Sequence, residues 1–563
     1  MTNKILELQK LMLLEKIDAL LIPSHDEFYS EIVPPHKARL EYLTGFSGSN
    51  GIAVITTSKK HFLFTDGRYL VQAKQELSEN FEIIDLTSTS LLKWLESFLN
   101  SNILGLHNKL HSIEYVELIL KKYTQKNIKI LDKNLVDIIW QSKPQPRTTS
   151  IFEYKIKYSG TPTKTKLENF KQQMKEQNID TFILNTPESI CWLLNIRGQD
   201  SLFSPIVFAY LIITQNSTTL FLDATLDKNT KQYFNKNQIE FFPFSQLENF
   251  LDKIKNHKNI VTTKKAPFWL KEKIATITTT PDLSELPRAC KNKTEISNAV
   301  LAHNKDSIAL THCLIWIKEA VKTKKLSEIS ISDKLLEFRS KQQNFMYPSF
   351  NSIVGFKENG AIIHYKAQPK TNKKIFGAGL LLIDSGGQYL EGTTDTTRTI
   401  VIGTPTKEQI RNFTLVLKGH IQLLTAIFPE GTTGNQLDTL ARNPLWKEGK
   451  DYAHGTGHGV GSFLSVHEGP QAISRNNHIK LQEGMILSIE PGFYKTKKYG
   501  IRIENLAYIK KSTRLKGYLE FEVLTKVPIE TQLVDFSLLT TEEKNWLNNY
   551  NEDCNNLITE SRR

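Results

Sequence analysis

The stretch Leu380-Leu381-Leu382-Ile383-Asp384-Ser385-Gly386-Gly387, followed by Gly392-Thr393-Thr394-Asp395-Thr396-Thr397-Arg398-Thr399 and Ile400-Val401-Ile402, decides how the second half of this chain is read. An apolar run ending on an acid, a glycine-marked reversal and a second apolar run predict strand, turn and strand, which brings Asp384 and Asp395 together. Met485-Ile486-Leu487-Ser488-Ile489 leads into Glu490 in the same way, and Pro491-Gly492 turns the chain. Gly500-Ile501-Arg502-Ile503-Glu504 reads as a strand with Ile501 and Ile503 on one face and Arg502 and Glu504 on the other. Any one of these carboxylates, taken alone, is an ordinary strand-end acid. Four in equivalent settings are different, because buried, unpaired carboxylates are expensive.

Between the two pairs lies His454-Gly455-Thr456-Gly457-His458-Gly459-Val460-Gly461, then His467-Glu468-Gly469-Pro470. It is not a phosphate loop, since it lacks Gly-Lys-Ser/Thr and follows no clear strand. Its glycines let the backbone approach something closely while holding histidines inward. Asp384, Asp395, Glu490 and Glu504 sum to −4, and like charges that close raise each other's pKa. Two divalent cations cancel that charge, and His458 adds a neutral nitrogen. Five protein ligands serve two metals only if carboxylates bridge, as in two-metal hydrolytic sites. An oxygen-rich set with one histidine and no cysteine favours Mn²⁺ over a structural zinc, while Co²⁺, Fe²⁺ and Zn²⁺ stay open.

Outward from this centre, residues 295–340 carry helical periodicity and later segments alternate strands with glycine turns, the pattern of an α+β domain. Further towards the N-terminus the texture is α/β, and it is stated twice. A helix leads into Asp18–Ile22 and again into Asp180–Leu184; Tyr42-Leu43 is echoed by Trp192-Leu193, and Leu63-Phe64-Thr65-Asp66 by Leu220-Phe221-Leu222-Asp223. Prolines at 144 and 146 and at 281 and 287 mark breaks. The expected domains are 1–147, a related 148–288, and 289–563.

The composition agrees with three domains. The 563 residues are 39% hydrophobic and 23% charged, the balance of ordinary soluble globular protein. Cys191, Cys290, Cys313 and Cys554 lie far apart, so neither a disulfide scaffold nor a cysteine zinc site is expected, and a cytoplasmic setting is. Met1–Lys16 is helically spaced with charges throughout, unlike an export signal, and no run of ~18 apolar residues exists to span a membrane. The net charge of +13 raises a nucleic-acid partner, but lysine dominates over arginine and the excess is spread. Neither nucleic acid nor membrane is expected as a partner.

The ordered set Asp384, Asp395, His458, Glu490 and Glu504 resembles the dinuclear site of the pita-bread metallopeptidases. The strings His454–Leu464, Val466–Pro470, Glu490-Pro491-Gly492 and Gly500–Asn505 are similar to those of its long, three-domain Xaa-Pro aminopeptidase (aminopeptidase P) branch. Tyr42-Leu43-Thr44-Gly45-Phe46 and Thr65-Asp66-Gly67-Arg68-Tyr69 extend the likeness to the first domain. The resemblance implies a pita-bread catalytic domain preceded by two related creatinase N-terminal-like α/β domains, and a homodimer. It implies hydrolysis of the bond between an N-terminal residue and a penultimate proline, by a water that two divalent ions, expected to be Mn²⁺, make nucleophilic near neutral pH.

Residue by residue, the resemblance makes Asp384 a ligand of one metal, Asp395 and Glu504 bridging ligands, and His458 and Glu490 the completion of the second. Glu490 also accepts the water's proton and passes it to the leaving proline nitrogen. His364, in Ile362-Ile363-His364-Tyr365, and His467 contact substrate and the developing oxyanion. Arg68 reaches the peptide, a salt bridge with Asp66 being the competing reading. His454 lines the pocket, with ordering of the glycine loop as its alternative. Arg502, from its strand face, orients Glu504. The rival readings are a dipeptidase of the same fold (prolidase), which would share all five ligands, a methionine aminopeptidase, which ~290 residues of preceding chain disfavour, and a non-enzymatic pita-bread binding protein, which the intact ligands disfavour.

Overall fold

The computed structural model describes residues 2–99, 102–123, 125–147 and 150–561. Compactness divides the chain into two units: Met1–Tyr154, Thr161–Leu202 and Ile206–Ser284 form the first, and Lys155–Gly160, Phe203–Pro205 and Glu285–Arg563 the second.

The first unit holds two six-stranded sheets built to one plan. In one, the strand Ala19–Pro23 pairs antiparallel with Ile52–Thr56 and parallel with Leu104–His107. In the other, Thr181–Leu184 pairs antiparallel with Tyr210–Thr214 and parallel with Ile260–Thr263. Each chain leaves the founding strand through a short helix, Arg39–Thr44 or Pro187–Leu193, and each then adds a hairpin strand, His61–Thr65 or Thr218–Phe221. The residues that echo in sequence therefore sit at equivalent places: Tyr42 and Trp192 on the helices, Phe64 and Phe221 in the hairpin strands. The sheets are packed together, Phe28 stacking on Phe208 at 4.7 Å between ring centres and Phe268 N donating to His111 O at 2.9 Å.

The second unit contains the long helix Lys293–Ala320, started by a reciprocal cap between Asn292 and Glu295. A three-stranded antiparallel sheet joins Ile353–Phe356, Gly379–Ser385 and Thr396–Ile402. A four-stranded one contains Ile486–Ile489 and Asn505–Lys511. The unbroken apolar run before Asp384 is explained by burial on both faces. Leu381 and Ile383 pack with Leu310 and Ile317 of the long helix, and Leu380 packs with Val416 and Leu417 of the helix Lys407–Leu424. Such a strand cannot alternate polar and apolar residues, and it can carry an acid only at its end.

Candidate metal centre

Pairing of Gly379–Ser385 with Thr396–Ile402 sets Asp384 opposite Thr397, so Asp395, just before the second strand, stands at the same end as Asp384. Ile489 is opposite Asn505 in the other sheet, so Glu490 and Glu504 flank that pair. Thr397 joins the two sheets: Glu504 N donates to Thr397 O at 3.1 Å, and Thr397 Oγ1 donates to Glu504 Oε2 at 2.7 Å. The sequence reads a strand through Glu504, but the strand is Tyr499–Arg502. Ile503 and Glu504 connect it to Asn505–Lys511, because the Glu504 main chain is engaged by Thr397.

His458 is held as tightly. Its N–H donates to Ser488 Oγ at 2.9 Å, and that hydroxyl donates to Glu490 Oε1 at 3.2 Å. Nδ1 lies 2.9 Å from Gly459 O. An imidazole that donates there presents Nε2 as a ligand atom, and Nε2 is 3.6 Å from Asp395 Oδ2 and 3.5 Å from Glu490 Oε1. The glycines admit neighbouring backbone: a Cβ at Gly457 would lie 1.8 Å from Ser488 O, and one at Gly459 2.0 Å from Glu468 O.

All five expected ligands converge. One oxygen each from Asp384, Asp395 and Glu504 lie within 4.8 Å of one another; atoms of His458, Glu490 and Glu504 form a second such group, and those of Asp395, His458 and His467 a third. Glu504 is common to the first two groups, and Asp395 to the first and third. His467 is exposed and sets its ring edge-on against His458, 4.2 Å between centres.

Arg502 corrects the sequence reading. Its carboxylate partner is Asp384, with Nη2 donating to Asp384 Oδ2 at 2.6 Å. Its hydrogen-bonded path to Glu504 runs through Thr397, whose Oγ1 accepts from Arg502 Nε at 3.1 Å. Arg502 Nη1 also donates to Tyr494 OH at 2.7 Å, and Tyr494 OH is 2.9 Å from His454 Nε2. His454 is buried, with Nδ1 2.8 Å from Gly455 O, so both ring nitrogens meet protein atoms. His364 is half-buried and follows Ile363, whose carbonyl accepts from Arg502 Nη2 at 3.4 Å. Arg68 belongs to the first unit, where Nε and Nη2 fork the Asp66 carboxylate at 2.9 and 2.8 Å.

Known proteins share this fold. Residues 300–511 match metallopeptidase family M24 and residues 517–561 the C-terminal region of peptidase M24. Residues 4–137 and 142–295 each match the creatinase/prolidase N-terminal domain. A probable Xaa-Pro aminopeptidase P of Colletotrichum graminicola is 38% identical, across 98% of this chain and 95% of that protein. The chain belongs to metallopeptidase family M24. Within M24, aminopeptidase P2 of Arabidopsis thaliana is 37% identical, across 95% of this chain and 82% of that protein. The crystal structure of X-prolyl aminopeptidase from Caenorhabditis elegans, described as a cytosolic enzyme with a di-nuclear active site, superposes with a TM-score of 0.95 at 33% identity, covering 100% of this chain and 96% of that one. The prolidase of Pyrococcus horikoshii, 25% identical with a TM-score of 0.54, covers only 65% of this chain and is itself covered to 99%.

The M24 residues fit a metal. Among the described residues, Asp384 Oδ1, Asp395 Oδ1 and Glu504 Oε1 are buried without a hydrogen-bond partner, each a loss of about 1–3 kcal/mol or more for a charged group unless opposite charge is at hand. Burial, then Asp384 and Glu490, push the Asp395 carboxyl well above its usual range. Burial, then Asp395, Glu490 and Asp384, do the same to Glu504. Burial raises Glu490 too, against the opposing pull of His458 and Arg502. Arg502 compensates one acid of four, and carboxylate oxygens with one imidazole are the donors that hard or borderline divalent cations take.

Several supports of this M24 centre escape sequence reasoning. Ser488 leaves a trace, as the one hydroxyl in the apolar run Met485–Ile489. Thr397 and Arg398 sit in the quoted threonine-rich string, and Arg398 Nη1 donates to Glu504 O at 2.6 Å. Tyr494 leaves no signal at all.

Proposed function

We propose that this chain is an Xaa-Pro aminopeptidase, a hydrolase that removes the N-terminal residue from peptides whose second residue is proline. The observation that carries the reading is the pair of ligand groups sharing Glu504, in a chain matched over its whole length by the Caenorhabditis elegans X-prolyl aminopeptidase and over 98% of it by a probable Xaa-Pro aminopeptidase P. Asp384, Asp395, His458, Glu490 and Glu504 would hold two divalent cations, Mn²⁺ in our reading. Bound there, the cations would supply Lewis acidity towards the scissile carbonyl and a water acidified to near neutral pH.

The remaining work falls to the chain. Glu490, half-buried and steadied by Ser488, takes up a proton and returns it to the proline nitrogen, a role suited to a carboxyl that burial has raised. His467 and His364 donate hydrogen bonds to substrate and to the oxygen on which charge develops. Arg502 fixes Asp384, and Thr397 fixes Glu504. Arg68 and His454 are assigned to substrate by resemblance alone. The amide before proline has no N–H, so selection must read the ring itself. We place the enzyme in the cytoplasm as a homodimer, with peptides rather than nucleic acid as partners. No described helix is long and apolar enough to cross a membrane.

The test is hydrolysis of Xaa-Pro-Pro and longer Xaa-Pro peptides by chelator-stripped protein, each divalent ion being added back in turn. Mn²⁺ is expected to restore turnover best. Activity confined to Xaa-Pro dipeptides would reassign the chain to the dipeptidases, and full turnover by stripped protein would contradict the metal mechanism.

A further inference from the structure

Gln388 lies in the hairpin formed by Gly387–Tyr389 and Gly392–Thr393, opposite Thr393, on the path of chain from Asp384 to Asp395. It is fully buried. A buried amide has N–H donors and a carbonyl oxygen to satisfy, and here every kind is used. Nε2 donates to Phe203 O at 2.9 Å and to Leu464 O at 2.8 Å, while Oε1 accepts from Thr393 Oγ1 at 2.8 Å. Leu464 N donates to that same threonine oxygen at 3.2 Å, and Ser465 Oγ donates to Ser204 Oγ at 3.3 Å. All of these residues belong to the second unit, which takes in Phe203–Pro205. Thr393 is two positions from Asp395, and Leu464 is three from His467.

The turn gripped in this way is strained. Phe463 has φ +49°, in the left-handed region that a bulky side chain occupies only where its surroundings impose it. Gly461 N donates to Ser465 O at 3.0 Å to close the turn. Phe463 and Leu464 are both fully buried, so the turn cannot be relieved by moving into water. Without the Gln388 amide, the half-buried Phe203 would lose a donor to its carbonyl, the buried Leu464 carbonyl would keep only the longer 3.2 Å approach of Thr393 Oγ1, and the turn would be free to relax. His467, three residues on and exposed beside His458, would move with it.

We propose that Gln388 is a positioning residue. It holds the strained Gly461–Ser465 turn against the Asp395 hairpin, and so fixes the His467 imidazole at the centre it forms with Asp395 and His458. The inference rests on the proposed function and deepens it by assigning a second layer to its oxyanion donor. It also gives the Phe203–Pro205 segment a task in the catalytic unit, the loan of a main-chain carbonyl to this clamp.

The experiment is a double-mutant cycle in the full chain, loaded with Mn²⁺ and assayed on an Xaa-Pro peptide. Gln388→Met keeps the volume and removes the hydrogen bonds; His467→Ala removes the group it positions. Gln388→Met is expected to lower kcat about tenfold to a hundredfold, with KM changed by less than about threefold and bound metal unchanged. Gln388→Met in the His467→Ala background is expected to cost nothing further, because residues acting through one another are non-additive. If Gln388→Met does not fold, Thr393→Val cuts the same clamp from the other side and is read by the same cycle. Losses that multiply in the double variant, or a wild-type kcat in Gln388→Met, would overturn the inference while the function stands. A wild-type chain inactive on Xaa-Pro peptides would overturn the function itself.

Discussion

Arg502 Nη2 lies 2.6 Å from Asp384 Oδ2, both side chains being largely withdrawn from water. The pairing leaves Oδ1 as the Asp384 oxygen without a hydrogen-bond partner. A buried guanidinium at this distance does two things: it sets a positive charge against Asp384, and it fixes which oxygen is available to a cation.

Arg502→Met should therefore weaken divalent-ion binding by about 10–100-fold, the usual effect of losing the group behind a ligand. Competition against a fluorescent chelator measures this. Arg502→Lys keeps the charge but not the fork that also reaches Tyr494 and Thr397, so it should recover only part of the affinity. Wild-type affinity in Arg502→Met would show that the pair does not support the ligand.

Glu504 has opposite consequences for stability and activity. Its carboxyl is raised by burial and by Asp395, Glu490 and Asp384. A group whose folded pKa lies above its unfolded one gives stability that is present at low pH and lost as pH rises through the folded value. In metal-free protein at pH 7, Glu504→Gln should then melt higher than wild type by a few degrees, a change on the order of 1 kcal/mol. With Mn²⁺ added, the same variant should have no turnover. Calorimetry on both forms checks the pair of outcomes, and a lower melting point for metal-free Glu504→Gln would contradict the charge argument.

The first unit carries the reverse sign. Where its two sheets meet, burial pushes His107 down to about 4 and His111 down to about 3, and it lowers His25 as well. Arg39, Lys109 and Lys265 face these rings from the cationic side, and Asp26, Glu27 and Asp137 from the anionic side. Folded values below the unfolded 6.5 mean stability that is complete above that pH and lost as pH falls towards the folded values. The melting temperature of metal-loaded protein should drop between pH 7 and 4.5, and His111→Gln should flatten the slope. Equal slopes for wild type and His111→Gln would contradict this.

Glu468 is buried against Lys291, 3.1 Å from its Nζ, with Arg288 Nη1 3.7 Å away. Glu468→Leu leaves the Lys291 charge buried without this partner and should destabilise by about 3–5 kcal/mol in denaturant titration. Adding Lys291→Met should return much of the loss. If the double variant were no more stable than the single one, the ion pair would not be the cause.

The acids of the centre were legible because their signal is local: an apolar run, an acid and a turn. His458 was legible from the glycines around it. The partner of Arg502 was not, since it depends on a strand ending at Arg502 and on Thr397 holding the Glu504 main chain. Gln388 carried no signal, because its meaning comes from a carbonyl 185 residues away. The repeated sheet plan left only echoes such as Tyr42 and Trp192, since equivalent strands need matching burial rather than matching residues.

Counting bound cations tests the central claim most directly. Protein equilibrated with excess Mn²⁺, freed of unbound ion and analysed by elemental mass spectrometry should hold about two Mn²⁺ per chain, and Glu504→Gln fewer than about one. Xaa-Pro turnover should follow the bound metal. A wild-type chain that holds no Mn²⁺ at saturation, or that turns over fully while metal-free, would contradict the account.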